Sequence, residues 1–394
     1  MIYTMFMDKM APGIVRLSVM DNDLDLFEGQ YPMPQGVSYN SYLIEDDQLC
    51  LLDTVDARKQ EEWLAGLDEV LAGRKLDYLV ISHMEPDHAG SIAALCARQP
   101  QLKLVANART FAILDQFSGD NPLAQERVTV ADGGTLALGS HTLHFVLAPM
   151  VHWPEVMAVY EDREKVLFSA DGFGNFGSLT DTDAWADEAR RYYGNIVGKY
   201  GAQVQALLKK AAALEIETIC PLHGPVLTGE ALGEALRLYD LWSRWQSESP
   251  DDILLAHASI HGNTARAAEL LKQKLEAKGA RVTLCDLTTT EVSYAVANAF
   301  YCGKLVLACS TYDGGLFPPM EEFLSHLQAK GFRDRTVGLI ENGSWAPAAA
   351  RLMRAKLEEM KDLRVCGTVV SLRSALSPAS EAQMEALSAE LCAE

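Results

Sequence analysis

The chain has 394 residues, of which 48% are hydrophobic and 22% are charged, so it is long enough to bury two hydrophobic cores. The formal net charge of -20 argues against nucleic acid as a main partner. No apolar run is as long as a membrane span, which argues against a transmembrane protein. Asp8 and Lys9 interrupt the apolar residues near the N-terminus, which argues against a signal peptide. The eight cysteines are scattered without a Cys-x-x-Cys pair, which is typical of buried thiols in a reducing cytoplasm and excludes a fused rubredoxin or zinc ribbon.

The first part of the chain predicts strands with interleaved helices. Short apolar runs between residues 15 and 55, separated by turn residues, indicate antiparallel strands. Apolar residues at helical spacing from Trp63 to Leu71 predict a helix that Gly73 ends. Further strands are predicted at residues 79–81, 103–106, 128–130, 143–147, 157–160, 166–169 and 217–220, and helices at 183–214 and 230–245. This order predicts a sandwich of two sheets covered by helices in residues 1–249.

The polar, turn-rich residues 247–252 predict a linker to a second domain. Beyond it, strands and helices alternate strictly, with strands predicted at residues 253–256, 281–285, 305–309, 336–340 and 365–370. Such alternation is typical of a doubly wound parallel sheet. The sequence therefore predicts a two-domain protein of α+β and α/β class, divided into residues 1–249 and 250–394.

Potential metal ligands are concentrated directly after the predicted buried strand at residues 79–81. His83, Glu85, Asp87 and His88 lie within six residues. Alternate side chains of an extended segment point the same way, so the first three can converge, while His88 turns off at the bend that Gly90 allows. Burying such a polar segment at the end of a strand costs free energy unless its side chains have partners, and two bound cations would be suitable partners.

Three further candidates each follow a predicted strand. His152 lies in a His-Trp-Pro motif, Asp171 in Ser-x-Asp, and His223 in Pro-x-His-Gly. With the first four they make seven nitrogen and oxygen donors, which suit two metals sharing a carboxylate bridge better than one metal. The remaining histidines with a predicted place in a strand or helix are expected to be surface or hydrogen-bonded residues: His141, His144, His257 and His326.

The arrangement of ligands on loops at strand ends resembles the metallo-β-lactamase fold. Hydrolases of that superfamily usually carry His-x-His-x-Asp-His, whereas Glu85 stands here in place of the second histidine and favours iron over zinc. The whole motif set is similar to the flavodiiron proteins, also called A-type flavoproteins, and the resemblance covers the whole chain. It implies one iron on His83, Glu85 and His152, a second on Asp87, His88 and His223, and Asp171 as the bridge.

Three loops of the second domain predict an FMN site. The first loop, residues 259–264, opens onto a helix N-terminus that can bind a phosphate, and it lacks the lysine of a triphosphate-binding loop. It departs from many flavodoxins in having His261 where they have a hydroxyl residue. The other two follow central strands and offer glycines for close approach and aromatic residues for stacking. The predicted cofactor-binding residues are Ser259, Ile260, His261, Gly262, Asn263, Thr264, Ser310, Thr311, Tyr312, Asp313, Gly314, Gly315, Leu316, Asn342, Gly343, Ser344 and Trp345.

The resemblance implies an oxidoreductase. FMN would accept electrons from a separate rubredoxin or similar carrier and pass them to the irons, which would reduce dioxygen to water, nitric oxide to nitrous oxide, or both. It also implies a head-to-tail homodimer, or a dimer of dimers, in which the FMN of one chain faces the irons of the other. Phe27, Glu28, Tyr39 and Asn40 resemble a family segment beside the iron pocket, but they indicate no preference between the gases.

Two alternatives stay open on the sequence. The chain could be a zinc hydrolase with a flavodoxin-like appendage, although Glu85 argues against it, or a non-catalytic gas sensor or electron relay. A basic patch that could dock an acidic electron carrier is also conceivable, and its members would be Lys272, Lys274, Lys278, Arg351, Arg354 and Lys356.

Overall fold

The computed structural model describes residues 5–177, 179 and 185–393, and these form two compact units. The first unit comprises the described residues up to Tyr192 together with Ala202–Asp240, and the second comprises Tyr193–Gly201 and the described residues from Leu241 onward. The start of the helix predicted from Asp183 lies outside the described residues. Among the residues described, no helix combines the length and the apolarity that crossing a membrane requires.

One sheet of the first unit is mixed. Its strands β1 and β2, and β5 to β9, are joined in the order β1-β2-β5-β6-β7-β8-β9, antiparallel up to β6 and parallel beyond it. The short strands β3 and β4 pair with each other. The bounds are Met5–Ala11, Ile14–Asp21, Leu26–Phe27, Tyr31–Pro32, Val37–Ile44, Cys50–Leu52, Tyr78–Val80, Lys103–Asn107 and Arg127–Val130 for β1 to β9.

A second sheet of this unit has the strand order β10-β11-β12-β13-β14-β15, in which β13 and β14 are parallel. The bounds are Thr135–Ala137, Thr142–Leu147, Met157–Glu161, Val166–Phe168, Thr218–Cys220 and Leu227–Thr228 for β10 to β15. One apolar cluster joins Tyr42, Val80 and Val105 of the mixed sheet to Phe145 and Phe168 of this one. The two sheets are therefore packed face to face, as a sandwich requires.

Helices cover the sandwich. Their bounds are Gln60–Leu71, Pro86–Ala89, Ile92–Arg98, Ala108–Ser118, Trp185–Tyr192, Gly201–Ala211 and Gly229–Ser243 for α1 to α7. Between α5 and α6 the chain forms a π-helical turn at Tyr193–Val197 and a 3-10 turn at Gly198–Tyr200. These turns lie near Gly194, Gly198 and Gly201, where the sequence predicts possible breaks in the helix.

The second unit is a doubly wound parallel sheet in the order β17-β16-β18-β20-β21, with the short β19 paired to β18. Alternate residues of β16 face opposite cores: Leu254 packs with helices on one side, and Leu255 with helices on the other. The strands β16 to β21 are Ser249–Ala258, Val282–Asp286, Cys302–Tyr312, Gly315–Leu316, Thr336–Asn342 and Arg364–Leu372. The helices α8 to α12 are Asn263–Ala277, Val292–Tyr301, Pro318–Ala329, Ala349–Glu358 and Pro378–Cys392.

The predicted fold class is confirmed, and most predicted elements are present within a few residues of their expected bounds. One local expectation is wrong: β16 begins at Ser249, inside the predicted linker, and Ser249 pairs with Cys302 across a register shift. Strand β1 and helices α3 and α4 are present where no element was predicted.

Candidate metal centre and cofactor pocket

The loop after β7 is held in place by buried hydrogen bonds. The Ser82 N–H and hydroxyl donate to the two carboxylate oxygens of Asp53 at 2.8 and 2.5 Å. Glu85 is extended, and Pro86 starts α2, because its fixed φ and missing N–H suit a first helical position. Glu85 therefore lies on the extended part of the loop, and Asp87 lies on the first turn of α2.

Three other loops bring the remaining candidates to the same place. His152 lies between β11 and β12, Asp171 follows β13, and His223 follows the neighbouring β14. Backbone hydrogen bonds join these loops to the mixed sheet: the Met157 N–H donates to the Ser82 carbonyl, and the Asn40 N–H to the Leu222 carbonyl. The structure thus gathers all seven predicted donors.

The donors form two groups whose ligand atoms lie within 4.8 Å of one another in each group. We call His83, Glu85 and His152 the first ligand group, and Asp87, His88 and His223 the second ligand group. Asp171 faces both. Its Oδ2 lies 3.3 Å from His83 Nε2 and 3.0 Å from His152 Nε2, while its Oδ1 lies 3.2 Å from His88 Nε2. One carboxylate can therefore bridge two metal ions.

The ring nitrogens and carboxylate oxygens of the second ligand group and Asp171 are placed as ligands of metal ions would be. His88 Nε2 and His223 Nε2 lie 3.0 Å apart, and each is 3.2 Å from Asp87 Oδ2. Both carboxylate oxygens of Asp87 and the Oδ1 of Asp171 are buried without a hydrogen-bond partner among the described residues. Because buried polar atoms normally have partners, ring nitrogens converging on unpaired carboxylates indicate cation sites.

The carboxylates of the site are stabilised as anions. Burial alone would raise the pKa of Asp171, but the nearby His88 and His83 hold that pKa well below its usual range. Burial likewise opposes ionisation of Glu85, but the nearby His152 and His83 rings outweigh this effect, so the pKa of Glu85 is lowered. Ionised carboxylates and imidazole nitrogens are the donors that bind iron and similar metals.

Several residues that support the ligands were not predicted. The Nδ1 of His83 donates to Glu155 Oε1 at 2.9 Å, and the Nδ1 of His223 donates to the Ser38 carbonyl at 2.7 Å. Asn40, which the family resemblance already placed beside this pocket, supports the His223 loop by donating to the carbonyls of Pro221 and Gly224. Glu155 follows the His-Trp-Pro motif directly, which is the one sequence signal that could have pointed to it.

A cavity of about 290 Å³ opens beside the site. Its lining includes the candidate ligands Glu85 and Asp87 and the predicted pocket residues Phe27, Glu28 and Tyr39. The Tyr39 ring packs against the rings of His88 and His223 at centroid distances of 6.2 and 5.9 Å. A small molecule in this cavity would therefore lie next to the metal-binding side chains.

A larger cavity of about 570 Å³ lies at the carboxyl ends of β16, β18 and β20. Most of the predicted cofactor-binding residues line it, together with Ala346 and Ser374, which were not predicted. The predicted residues outside its lining are Gly262, Ser310, Gly315 and Leu316.

Hydrogen bonds join the three loops beneath this cavity. Thr264 Oγ1 lies 2.8 Å from Ser310 Oγ and accepts from Asn342 Nδ2 at 3.3 Å. Trp345 is 88% exposed at the rim and Tyr312 is 44% exposed, so aromatic faces are free to stack on a ring that enters from solvent. The cavity thus joins a helix N-terminus to an aromatic rim, which suits a flat ring that carries a phosphate.

The other histidines and the basic residues singled out in the sequence lie outside the metal centre. His141 pairs with Glu161 and His144 with Asp162, each away from the ligand groups. Four members of the conceivable basic patch form ion pairs with glutamates: Lys272 with Glu276, Lys274 and Lys278 with Glu385, and Lys356 with Glu321. Their charges are thus largely balanced in place, which weakens the case for a basic docking surface.

Comparisons with known proteins agree with this geometry. The model of the family described as "ODP family beta lactamase" matches residues 37–224. The chain is 30% identical over 291 residues to "Diflavin flavoprotein A 1" of Synechocystis, an alignment that covers 72% of the chain and 50% of that relative. It is 27% identical to "Rubredoxin-oxygen oxidoreductase" of Megalodesulfovibrio gigas and 28% identical to "Nitric oxide reductase" of Moorella thermoacetica, with 89% of both chains covered in each case.

Among solved structures, the flavodiiron protein of Giardia intestinalis superposes with a TM-score of 0.91 at 24% identity, covering 98% of this chain and 96% of that one. This likeness shows that the two chains share a fold. The chain spans about half the length of the diflavin flavoprotein.

Proposed function

The chain belongs to the flavodiiron protein family, and from this we propose that it is an oxidoreductase that passes electrons through FMN to two non-haem irons and reduces dioxygen to water, nitric oxide to nitrous oxide, or both. The observation that carries the proposal is Asp171, whose two carboxylate oxygens face two separate groups of metal-binding side chains. The names of two relatives, one an oxygen oxidoreductase and one a nitric oxide reductase, support the two substrates.

The proposal assigns the first ligand group to one iron, the second ligand group to the other, and Asp171 to both. Two imidazoles and one carboxylate in each group support iron, because two histidines with one carboxylate are a donor set typical of non-haem iron. We place the iron centre in residues 1–249 and the FMN site in residues 250–394.

The proposed FMN residues are those predicted from the three loops of the second unit. The N-terminus of α8 would hold the phosphate, since the N–H groups of a first helical turn are free to donate to an anion. Tyr312 and Trp345 at the cavity rim would face the ring. Gly314 has a φ of +74° and Gly262 one of +84°, so both loops make turns that suit glycine.

When bound, the flavin would store electrons and the two irons would supply the reduction of a diatomic gas. The chain itself orients the ligand rings, through Glu155 behind His83 and Ser38 behind His223. Burial of Asp171, His83, His88 and His223 keeps bulk water away from the ligands. The cavity beside Glu85 and Asp87 gives a small molecule access to this site.

The proposal includes partners and a location that the fold alone leaves open. We propose a separate rubredoxin-like carrier as the electron donor and a head-to-tail homodimer, or a dimer of dimers, as the assembly. A cytoplasmic location is supported by the cysteines, all eight of which are free thiols.

The test begins with the purified protein. Metal analysis and the visible spectrum should give two irons and one FMN per chain, and an oxygen or nitric oxide electrode should record gas consumption with reduced rubredoxin as donor. A single zinc without flavin would reject the proposal in favour of a hydrolase. Iron and flavin without gas consumption would reject it in favour of a sensor or relay.

A further inference from the structure

The two ligand groups offer the same direct donors. Each has two imidazoles and one carboxylate, and Asp171 serves both. A difference in affinity or electron density between the two metal positions must therefore arise from groups that lie behind the ligands.

Behind the first ligand group lies Glu155, whose side chain is fully buried. Its Oε1 accepts hydrogen bonds from His83 Nδ1 and from the Met84 N–H, both at 2.9 Å. Its Oε2 is buried without a hydrogen-bond partner among the described residues. A glutamine oxygen would accept the same two hydrogen bonds, so the negative charge is not needed to form them.

In the second ligand group, the hydrogen-bond partners of the histidine Nδ1 atoms are neutral or absent among the described residues. The Nδ1 of His223 donates to the backbone carbonyl of Ser38 at 2.7 Å. The Nδ1 of His88 is buried and has no hydrogen-bond partner within the part of the chain that the structure describes. The Tyr39 ring packs against both imidazoles and contributes no ionised group there.

We propose that Glu155 is a positioning residue that makes the metal position of the first ligand group the tighter and more electron-rich of the two. This inference rests on the proposed function. The Glu155 carboxylate holds the proton on His83 Nδ1 and leaves Nε2 free to bind the metal. Its negative charge makes the imidazole a stronger donor than a carbonyl partner makes His223, and burial strengthens the effect because little water screens it.

The test compares wild type with Glu155→Gln, which keeps an acceptor for both N–H groups and removes the charge. Competition with a chelator should show two iron affinities in wild type, and Glu155→Gln should weaken the tighter one by about 10- to 100-fold. In a redox titration, the midpoint potential of that position should move to more positive values. A role confined to folding would move neither quantity, because the hydrogen bonds are retained.

The matched control is Glu161→Gln. Glu161 is a buried carboxylate that accepts from His141 Nδ1 at the same 2.9 Å, and its histidine belongs to neither ligand group. The control should leave both iron affinities and the potentials as in wild type. The inference is overturned if Glu155→Gln matches wild type, or if Glu161→Gln produces the same changes.

A second measurement needs no variant. Crystals of the wild-type protein prepared with one equivalent of iron should show anomalous density first between His83, Glu85 and His152. Equal filling, or earlier filling of the second ligand group, would overturn the inference while leaving the proposed function intact. Wild type that binds no iron at all would instead reject the proposed function.

Discussion

Gly224 stands next to His223 and has no room for a side chain. Its φ is +81°, and a Cβ at this position would lie 1.7 Å from Asn175 Oδ1. Its N–H donates to the Ser38 hydroxyl, so the backbone here cannot move without disturbing the residue that holds the His223 ring. The glycine thus couples local packing to the orientation of a candidate ligand.

We expect Gly224→Ala to lower the free energy of unfolding by about 3 kcal/mol, because left-handed strain and overpacking add together. Gly229→Ala is the matched control, since Gly229 also has a positive φ, of +54°, but a Cβ there would have no atom of the described residues within 4 Å. The control should cost only about 1 kcal/mol. Chemical denaturation measures both values, and equal losses would contradict the packing argument.

Asp171 provides the second prediction at this scale. Asp171→Asn should reduce bound iron and abolish gas consumption, because an amide cannot bridge two cations with two anionic oxygens. The control Asp162→Asn removes an exposed carboxylate that pairs with His144 away from the ligand groups. Iron content and electrode rates are the measurements, and an Asp171→Asn protein with two irons and full activity would contradict the bridging role.

His257 gives a prediction of pH dependence. It lies buried in β16, and burial lowers its pKa below the ordinary value of 6.5, although Asp286 opposes the shift. As pH falls below that ordinary value, the unfolded chain takes up a proton that the folded chain still refuses, so the free energy of unfolding decreases. The loss is up to about 1.4 kcal/mol per pH unit until the folded pKa is reached.

His257→Gln should therefore flatten the loss of stability between about pH 7 and about pH 5. Chemical denaturation across that range is the measurement. An unchanged slope in His257→Gln would show that its burial does not affect proton uptake.

At the scale of the elements, three strand-end loops of the second unit meet at Thr264. Its hydroxyl contacts Ser310 from the end of β18 and Asn342 from the end of β20, and the side chain is fully buried. The relative positions of three cofactor-binding segments therefore depend on a small hydrogen-bonded group.

Thr264→Val keeps the shape of this side chain and removes the hydroxyl. We expect the dissociation constant for FMN to rise about tenfold, which corresponds to the loss of about one buried hydrogen bond. Thr283→Val, at an exposed position in β17, should not change it. Fluorescence titration with FMN measures both constants, and an unchanged value for Thr264→Val would show that the loops hold their positions without this contact.

Elements with a strong local signal could be predicted from the sequence. The alternation of strands and helices gives the second unit, and the loop from His83 to His88 follows an apolar strand, so its ligands were identifiable without the fold. Helix α3 has only seven residues, and the short β10 and β15 depend on pairing with distant neighbours, so the local pattern is weak.

Contacts between distant positions could not be predicted. Glu155 contacts His83 across 72 positions of the chain, and its place directly after the His-Trp-Pro motif does not reveal which histidine it contacts. The same limit explains the misjudged linker: the turn-rich residues around Pro250 form strand because Gly303 has no side chain, and a Cβ there would lie 2.1 Å from the Pro250 carbonyl oxygen.

At the scale of the whole molecule, the proposed head-to-tail homodimer predicts complementation between two inactive variants. Asp171→Asn should lack a working metal site, and Ser259→Trp should fill the cavity at its phosphate end. When the two are co-expressed, about half of the dimers pair one chain of each kind, and each such dimer keeps one working FMN–iron pair. Activity should therefore recover to about a quarter of wild type.

Co-expression of Asp171→Asn with a chain that carries both substitutions is the control, because no pairing then joins an intact FMN site to an intact metal site. Gas consumption is the measurement, with iron and FMN contents confirming that both chains are present. A mixture no more active than either variant alone would contradict electron transfer between chains.

The second compact unit also includes a segment from far upstream, Tyr193–Gly201. Asn195 Nδ2 donates to the Ser293 carbonyl at 3.1 Å, and the Gly198 carbonyl accepts from Trp245 Nε1 at 3.1 Å. The backbone at Gly194 and Gly198 lies against the Phe300 ring. Recombination at a single crossover near residue 250 would set this ring against the upstream segment of the other parent, so gene fusions that exchange the carboxyl-terminal half between relatives should carry the matching upstream segment to yield a soluble chimera.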